Sequence, residues 1–463
     1  MMTIAVGTLG CKVNQFESEA LMDSFEQRGY VLVPFGEGAD ITIINTCTVT
    51  HRADFQSRQL IRRAFRSNPK SLIVVTGCYS QVEPEALAGI EGVQYLLGNR
   101  EKGRIPDLLP LMQKGDFPRI QISNICEETL FSDISLHSFH RHTRALLKIQ
   151  DGCNARCSYC IVPCARGRSR SLPPEKVLEH LRVLKQRDFQ EVVLTGIHIG
   201  SYGLDLVPPY SLEGLLRQLE EEETPHRIRL SSIEPGDFSQ DLISTLAQSG
   251  KVCPHFHISI QSGDDEILRR MNRDYDGPFL SDLVQELHQR IPKLSIGADV
   301  IVGFPGETEE RFQRTYGLIQ SLPVSYLHVF PFSKRKGTPA SQFPDQVDAG
   351  GIKRRAEGMR ELGQQKRQFF YGQFLHQKLH VLVEDRREKE TGRWKGLSRN
   401  YIPVLLTHES GSEAQPDWIN HERIVRVTEL TEKGVVGKVV EEEDGGEEAR
   451  FVEGTRKTSG LSI

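Results

Sequence analysis

Over the first third of the chain, short apolar runs alternate with stretches in which apolar residues return every three or four positions. Thr3 to Leu9, Ile41 to Asn45 and Leu72 to Val75 have the length and β-branched content of buried strands, and the periodic stretches between them predict helices. That alternation predicts βα units on an open parallel sheet over residues 1–135. A second series fills residues 140–370. Ala145 to Gln150, Glu191 to Thr195, Arg227 to Ser232, His255 to Ile260, Leu294 to Val302 and Tyr326 to Phe332 predict strands. Pro174 to Arg187, Leu212 to Glu222, Gln240 to Gln248, Phe279 to Arg290 and Thr308 to Leu322 predict the helices between them. Six tilted parallel strands cannot close as eight do, so the expected form is a partial (βα)6 barrel with its chemistry at the carboxyl ends of the strands. A basic helical linker, Gly351 to Phe370, leads to Leu379 to Val383, Ile402 to Leu406 and Ile424 to Thr428, which predict a small β-barrel over 372–440. Residues 441–463, rich in Glu, Gly and Ser, have too little apolar content to bury and are expected to be a disordered tail. The fold class is therefore α/β with a small C-terminal β-barrel.

A length of 463 residues exceeds what one core supports, in agreement with several domains. The net charge of −4 neither favours nor excludes nucleic acid, because a local basic face matters more than the total. No apolar run reaches about eighteen residues, so no transmembrane helix and no membrane partner are expected. The opening Met-Met-Thr-Ile-Ala-Val lacks the charged start and long apolar segment of a secretory signal. The expected location is cytoplasmic, where a reducing environment disfavours disulfides among the nine cysteines.

Six of those cysteines fall in strongly patterned places. Cys153, Cys157 and Cys160 form C-x3-C-x2-C just after the first barrel strand. Three thiolates hold three corners of an iron-sulfur cube and leave the fourth iron open to a small molecule, whereas a fully ligated cluster mostly carries electrons. A structural zinc site wants four ligands, and no second cysteine pair lies nearby. The array resembles the radical S-adenosylmethionine signature, in which the open iron chelates that cofactor and reductive cleavage yields a 5′-deoxyadenosyl radical able to break unactivated C–H bonds. Cys11, Cys47 and Cys78 each follow one of the first three strands. Parallel strands point the same way, so the three thiols emerge at one carboxyl edge, where open α/β sheets place their ligands. Convergence there implies a second iron-sulfur cluster; the alternative is three small buried residues in tight turns. Cys126 and Cys253 read as buried structural cysteines.

The remaining candidates sit at strand ends. Gly196, in Leu194-Thr-Gly-Ile-His198-Ile-Gly200, would let backbone approach a ligand closely. Ser259 and Gln261 present polar side chains suited to ribose hydroxyls, while Ile301 at an apolar strand edge and Tyr159 could pack against adenine, with a Gly303 turn beside them. Arg58, Arg62 and Arg66 recur at every fourth position of a helix and make a positive stripe beside Arg63 and Lys70. The clusters Arg166/Arg168/Arg170, Lys334-Arg335-Lys336 and Lys353-Arg354-Arg355 could each hold a phosphate, although a charge run is usually a solvated face. In the C-terminal barrel, Lys395 to Tyr401 reads as a polar, aromatic loop with Arg399 placed for RNA contact.

Three strand-end cysteines, then C-x3-C-x2-C, then a small β-barrel, together resemble the radical methylthiotransferase family over nearly the whole chain, from about Thr3 to Val440. The motifs that carry the resemblance are Gly10-Cys-Lys-Val-Asn-Gln15, Asn45-Thr-Cys-Thr-Val49, Thr76-Gly-Cys78, Gln261-Ser-Gly263 and Gly303-Phe-Pro-Gly-Glu-Thr308. The resemblance implies an auxiliary [4Fe-4S] cluster on Cys11, Cys47 and Cys78 that delivers sulfur, and a radical-generating [4Fe-4S] cluster on Cys153, Cys157 and Cys160. It also implies a TRAM domain from about Gly372 to Val440 that grips the substrate. The Gly-Cys-Lys-Val-Asn-Gln form is similar to the branch acting on N6-threonylcarbamoyladenosine at position 37 of tRNA, in the anticodon loop; the isopentenyladenosine branch more often has Gly-Cys-Gln-Met-Asn, and a third branch modifies a ribosomal-protein aspartate. The implied reaction is 2-methylthiolation with two molecules of S-adenosylmethionine, needing an electron donor and a sulfur donor that the sequence does not identify. The alternatives are those other two substrates and a non-enzymatic iron-sulfur RNA-binding regulator. Cys164 departs from the family pattern, which has an aromatic residue there.

Overall fold

A computed structural model describes residues 1–133, 143–407 and 418–440. The expected tail from 441 lies outside the described residues. The chain divides into two compact units, Met1–Phe370 and Tyr371 onward.

The first unit opens with a six-stranded parallel sheet of β1 (Thr3–Thr8), β2 (Val31–Leu32), β3 (Ile41–Thr46), β4 (Leu72–Gly77), β5 (Val93–Leu97) and β6 (Ile120–Gln121), ordered β2-β1-β3-β4-β5-β6. The three strands read from sequence are the central ones, and Ile41–Thr46 is buried throughout, as a sheet covered on both faces requires. The others escaped because β2 and β6 are two residues long and polar Gln94 interrupts β5. Helix α1 (Lys12–Gln27) follows β1, α2 (His51–Ser67) follows β3 and α3 (Cys78–Val82) follows β4.

Next comes β7 (Arg144–Lys148), then the short antiparallel pair β8 (Gln150–Asp151) and β9 (Arg170–Ser171), which brackets the cysteine loop. Strands β10 (Glu191–Thr195), β11 (Arg227–Leu230), β12 (His255–Gln261), β13 (Ser295–Val302) and β14 (Tyr326–Pro331) complete the series. Parallel pairing runs β7-β10-β11 and β12-β13-β14, and the bridges Ile228–Val252 and Ile233–Ile258 join the two halves. The result is an open six-stranded arc. Strands β12 and β13 alternate most clearly, whereas β7 and β10 are apolar at consecutive positions. Phe256, Ile258 and Ile260, or Ala298, Val300 and Val302, enter the core under the helices. The intervening positions are polar: Glu191 pairs with Arg227 and Arg229, and His257 with Asp299. The arc therefore encloses a polar lumen. Phe16 and Ala20 of α1 share the barrel's apolar core, so the N-terminal layer and the barrel are fused through that helix.

A buried charge cluster reinforces the junction. Arg166 donates from Nη1 to Glu17 Oε1 and Asp151 Oδ1, both at 2.9 Å, and from Nη2 to Asn14 Oδ1 at 2.5 Å. Lys102 reaches Glu17 at 2.6 Å, and Lys148 reaches Glu17 at 3.3 Å and Asp151 at 3.2 Å. Burial alone would raise the Glu17 carboxyl, but Arg166, Lys102 and Lys148 outweigh it and hold it well below the usual range. A second lock joins the loop after β14 to α2, where Arg335 donates to Asp54 at 2.5 Å and to Thr48 at 2.7 Å. These partners correct three sequence readings. Arg166 and Arg335 are buried ion-pair residues rather than phosphate contacts, and Arg355 pairs with Glu307 at 2.9 Å. Arg170 is also buried, whereas Arg168, Lys334, Lys336, Lys353 and Arg354 are exposed. Cys126 is exposed rather than buried; Cys253 is buried as expected.

Helix Ala349–Gly372 carries the chain out of the first unit. In the second, β15 (Lys378–Arg387), β16 (Trp394–Ser398), β17 (Pro403–Thr407), β18 (Glu422–Thr431) and β19 (Gly434–Val439) close a barrel ordered β15-β16-β17-β19-β18. Five strands replace the expected three. Lys395–Ser398 is strand rather than loop, and Arg399 begins the turn that follows it.

Replacing Arg166 with Met removes one of the two cations shared by buried Glu17 and Asp151, leaving Lys148 alone between them, and is expected to cost about 3–5 kcal/mol, read as a lower urea midpoint by far-UV circular dichroism. Arg168→Met, at an exposed position, should stay within about 0.5 kcal/mol of the parent. The neighbouring cations outweigh burial at Asp151 and hold its carboxyl at about 2, below its unfolded value of about 3.9. Its contribution is therefore complete above about pH 4 and is lost as pH falls toward 2, so Arg166→Met should flatten the acid limb of the stability profile.

Candidate active site

Cys11 precedes α1, Cys47 directly follows β3, and Cys78 opens α3. Their strands are adjacent in the sheet, so the three thiols converge at one edge. Side-chain hydrogen bonds fix the loops. Asn14 donates from Nδ2 to the carbonyls of Leu9 at 2.7 Å and Thr46 at 3.1 Å, tying the Cys11 loop to the Cys47 loop. Thr46 donates to the Thr76 carbonyl at 2.6 Å, which ties in the third. Ser57 donates to the Cys47 carbonyl at 3.1 Å, and Asn99 Nδ2 lies 3.8 Å from Cys78 Sγ. Gly10 has φ +116°, and a Cβ there would come within 3.1 Å of the Cys47 Cβ, so only glycine allows this approach. Arg166, whose guanidinium grips Asn14, stands within electrostatic reach of Cys11 and Cys47.

Cys153, Cys157 and Cys160 lie between β8 and β9 at the carboxyl end of the arc. They line a cavity of about 320 Å3 together with Tyr159, Gln261, Ile301, Ile197, His198, Glu234, Arg273 and Asp299. Three of the sequence candidates for cofactor contact, Tyr159, Gln261 and Ile301, are thus on its wall. Gly196, Ser259 and Gly303 are not. Gly196 packs against Gln150, and Gly303 turns at φ +77° against Ile352 while donating its N–H to Glu307 at 2.7 Å.

Sequence reading passed over several lining residues. Arg273 donates to the Tyr159 hydroxyl at 2.6 Å and to Glu234 at 2.5 Å, bracing one wall. His198 places Nε2 2.8 Å from Asp237 and Nδ1 3.7 Å from Cys153 Sγ. Burial alone would lower its imidazole, but the hydrogen bonds to Asp237 and Cys153 outweigh this and raise it to about 10. His257 and His328 approach Asp299 at 2.7 and 3.4 Å. His198 stands in the Leu194 to Gly200 motif but was not singled out there; Arg273, Glu234 and Asp237 come from loops beyond the strand ends, and of these residues only His257, Asp299 and His328 are strand positions that share the lumen.

The donor chemistry fits iron-sulfur ligation. Burial pushes both Cys47 and Cys160 up to about 12, so these two thiols, one in each group, do not favour bare thiolates, and a bound metal reverses this by deprotonating its sulfur ligands outright. The nine cysteines include no disulfide.

The positive stripe is partly engaged. Arg58 donates to the Tyr79 hydroxyl at 2.7 Å, and Arg63 lies over Phe35; Arg62 and Arg66 are exposed. Arg399 stands 3.8 Å from Glu422. Among the described residues no helix is long and apolar enough to cross a membrane.

The chain matches the Uncharacterized protein family UPF0004 over residues 3–98 and the Radical SAM superfamily over residues 147–319. It is 39% identical over 446 residues to "Threonylcarbamoyladenosine tRNA methylthiotransferase MtaB" of Bacillus subtilis (strain 168), covering 96% of this chain and 98% of that relative. The protein of the same name from Aquifex aeolicus (strain VF5) is 38% identical, with 87% of this chain and 96% of that one covered. Among solved structures, the radical S-adenosylmethionine methyltransferase TsrM from Kitasatospora setae shares the fold, with TM-score 0.56 at 16% identity, covering 73% of this chain and 77% of that one. Three thiols at the mouth of an open (βα)6 arc define a radical S-adenosylmethionine enzyme, whose cofactors are S-adenosylmethionine and a [4Fe-4S] cluster. Within that class, the chain belongs to the threonylcarbamoyladenosine tRNA methylthiotransferase family.

Gly303→Ala tests how rigidly the β13 turn must be held. A side chain at φ +77° with its Cβ 2.4 Å from Ile352 should destabilise by about 1–3 kcal/mol, visible as a lower thermal midpoint.

Proposed function

We infer that this protein methylthiolates C2 of N6-threonylcarbamoyladenosine at position 37 of tRNA, in the anticodon loop, giving 2-methylthio-N6-threonylcarbamoyladenosine. The observation that carries this reading is near-full-length similarity to relatives named for that nucleoside, joined to two groups of three cysteines in one unit. When bound, the clusters supply reductive cleavage of S-adenosylmethionine to a hydrogen-abstracting radical and the sulfur that fills C2, with a second S-adenosylmethionine providing the methyl group.

The residues divide the work. Cys153, Cys157 and Cys160, which line the cavity, would hold three corners of one cluster and leave one iron without a protein thiolate. Tyr159, Gln261 and Ile301 line the space for the cofactor, and Arg273 fixes Tyr159 there. A second [4Fe-4S] cluster on Cys11, Cys47 and Cys78 is supported by their convergence and by the loops that Asn14 and Thr46 hold together. Exposed Arg62 and Arg66 offer phosphate contacts, with Arg58 and Arg399 in support. The enzyme draws on an electron donor and a sulfur source in a reducing cytoplasm.

Anaerobically reconstituted protein should hold about eight irons, and substituting Ala for Cys153, Cys157 or Cys160 should leave about four and abolish cofactor cleavage. The Ala variants of Cys11, Cys47 or Cys78 should also hold about four yet retain cleavage while losing thiolation. Mass spectrometry of tRNA nucleosides from cells with and without the gene gives the substrate. Loss of the 2-methylthio group from threonylcarbamoyladenosine alone supports the reading. Loss from isopentenyladenosine, or an unchanged nucleoside profile with an altered ribosomal protein, replaces the substrate but keeps the chemistry. Absent cofactor cleavage in the parent enzyme would leave an iron-sulfur RNA-binding regulator.

A further inference from the structure

Three neighbouring strands of the arc each turn a metal-ligating side chain into the lumen: His257 on β12, Asp299 on β13 and His328 on β14. The sheet register brings them together. Asp299 is paired directly with His328, and His257 with Gly297, two residues before Asp299 and therefore on the same face. Their donor atoms converge. His257 Nε2 lies 2.7 Å and His328 Nδ1 3.4 Å from the same oxygen, Asp299 Oδ1, and one donor atom from each residue lies within 4.8 Å of the other two. The two imidazole rings have their centroids 4.6 Å apart.

The surroundings hold this arrangement in place. The Tyr326 hydroxyl lies 3.2 Å from Nδ1, the other ring nitrogen of His257, and so keeps Nε2 turned toward Asp299. A contact of that kind on the second ring nitrogen is what orients a metal-ligating histidine. Gly297 makes room for it, since a Cβ there would come within 2.6 Å of His257 Nδ1 and 2.2 Å of the Tyr326 ring. His257 is buried, Asp299 partly so and His328 exposed, so the group opens from the packed wall outward. Asp299 also lines the cavity that holds Cys153, Cys157 and Cys160.

We propose that His257, Asp299 and His328 bind a divalent transition-metal ion, at a site separate from both groups of cysteines. The inference goes beyond the functional reading above and does not depend on the substrate named there. Two imidazoles and a carboxylate are nitrogen and oxygen donors of the kind that suit zinc or ferrous iron, whereas thiolates suit iron-sulfur clusters. Bonds of about 2.0–2.1 Å to a tetrahedral zinc set neighbouring donors about 3.3 Å apart, a spacing that the two contacts to Asp299 bracket. Three protein ligands leave a coordination position open, as catalytic zinc sites do. Beside the cavity, an ion held there offers a Lewis acid to an oxygen donor that enters the lumen.

The test exposes untagged, anaerobically reconstituted full-length protein to a small excess of zinc chloride and then desalts it. Zinc is the probe because it binds such donors more tightly than ferrous iron does. Elemental analysis should find about one zinc per chain with the iron content unchanged, and zinc K-edge absorption should show nitrogen and oxygen neighbours at about 2.0–2.2 Å without sulfur at about 2.3 Å. Asp299→Asn and His328→Gln should each weaken zinc binding at least about tenfold in competition with a chelator, since even the outer partners of a metal ligand contribute that much. His328 is exposed, so its variant keeps the fold, checked by far-UV circular dichroism and iron content. His288→Gln, at an exposed histidine of helix Gly277–Arg290, should bind zinc as the parent does. Zinc held equally by the Asp299 and His328 variants, sulfur around the bound zinc, or a parent that retains no zinc would each overturn the site.

Discussion

The buried contact of Arg166 with Glu17, Asp151 and Asn14 is the constraint from which the rest of the first unit follows. One guanidinium reaches the helix after Cys11, the short strand before Cys153 and the asparagine that ties the Cys11 loop to the Cys47 loop. Its position in the sequence, six residues beyond Cys160, makes it part of the radical-cluster loop as well. Two thiol groups that begin more than a hundred residues apart are thereby held to one geometry. Charges buried to this degree tolerate little displacement, because removing any partner strands the others away from water.

The barrel applies the same economy through periodicity. Strand positions facing the helices are apolar and supply the core, while alternate positions carry Arg, Glu, His, Asp and Gln into the lumen. An eight-stranded cylinder would fill that space with side chains. Six strands leave it open, and Phe16 and Ala20 of α1 join the apolar core of the arc.

Much of this organisation was legible in the chain. The six barrel strands match the apolar runs to within two residues at either end, because buried parallel strands leave continuous apolar signals. The strand-end cysteines were legible for the same reason. Short edge strands such as Val31–Leu32 were not, since two residues carry no period. Trp394–Ser398 and Gly434–Val439 were missed because Gly396 and Gly437 break the pattern where barrel strands approach closely; a Cβ on either would lie within 2.5 Å of a neighbouring valine. Basic clusters misled most. Arg166, Arg335 and Arg355 are indistinguishable in sequence from solvated arginines, and their carboxylates lie 15 to 281 residues away.

The sequence by itself determined which elements form and which residues end them, because propensity, apolar period and the spacing of C-x3-C-x2-C act over short stretches of chain. It also determined the chemistry, since three thiols in that array leave an iron open whatever surrounds them. Only the tertiary structure decided which charges are spent on each other and which remain for a ligand. That distinction depends on partners brought together from distant segments, where loss of water turns an ordinary arginine into a structural bolt.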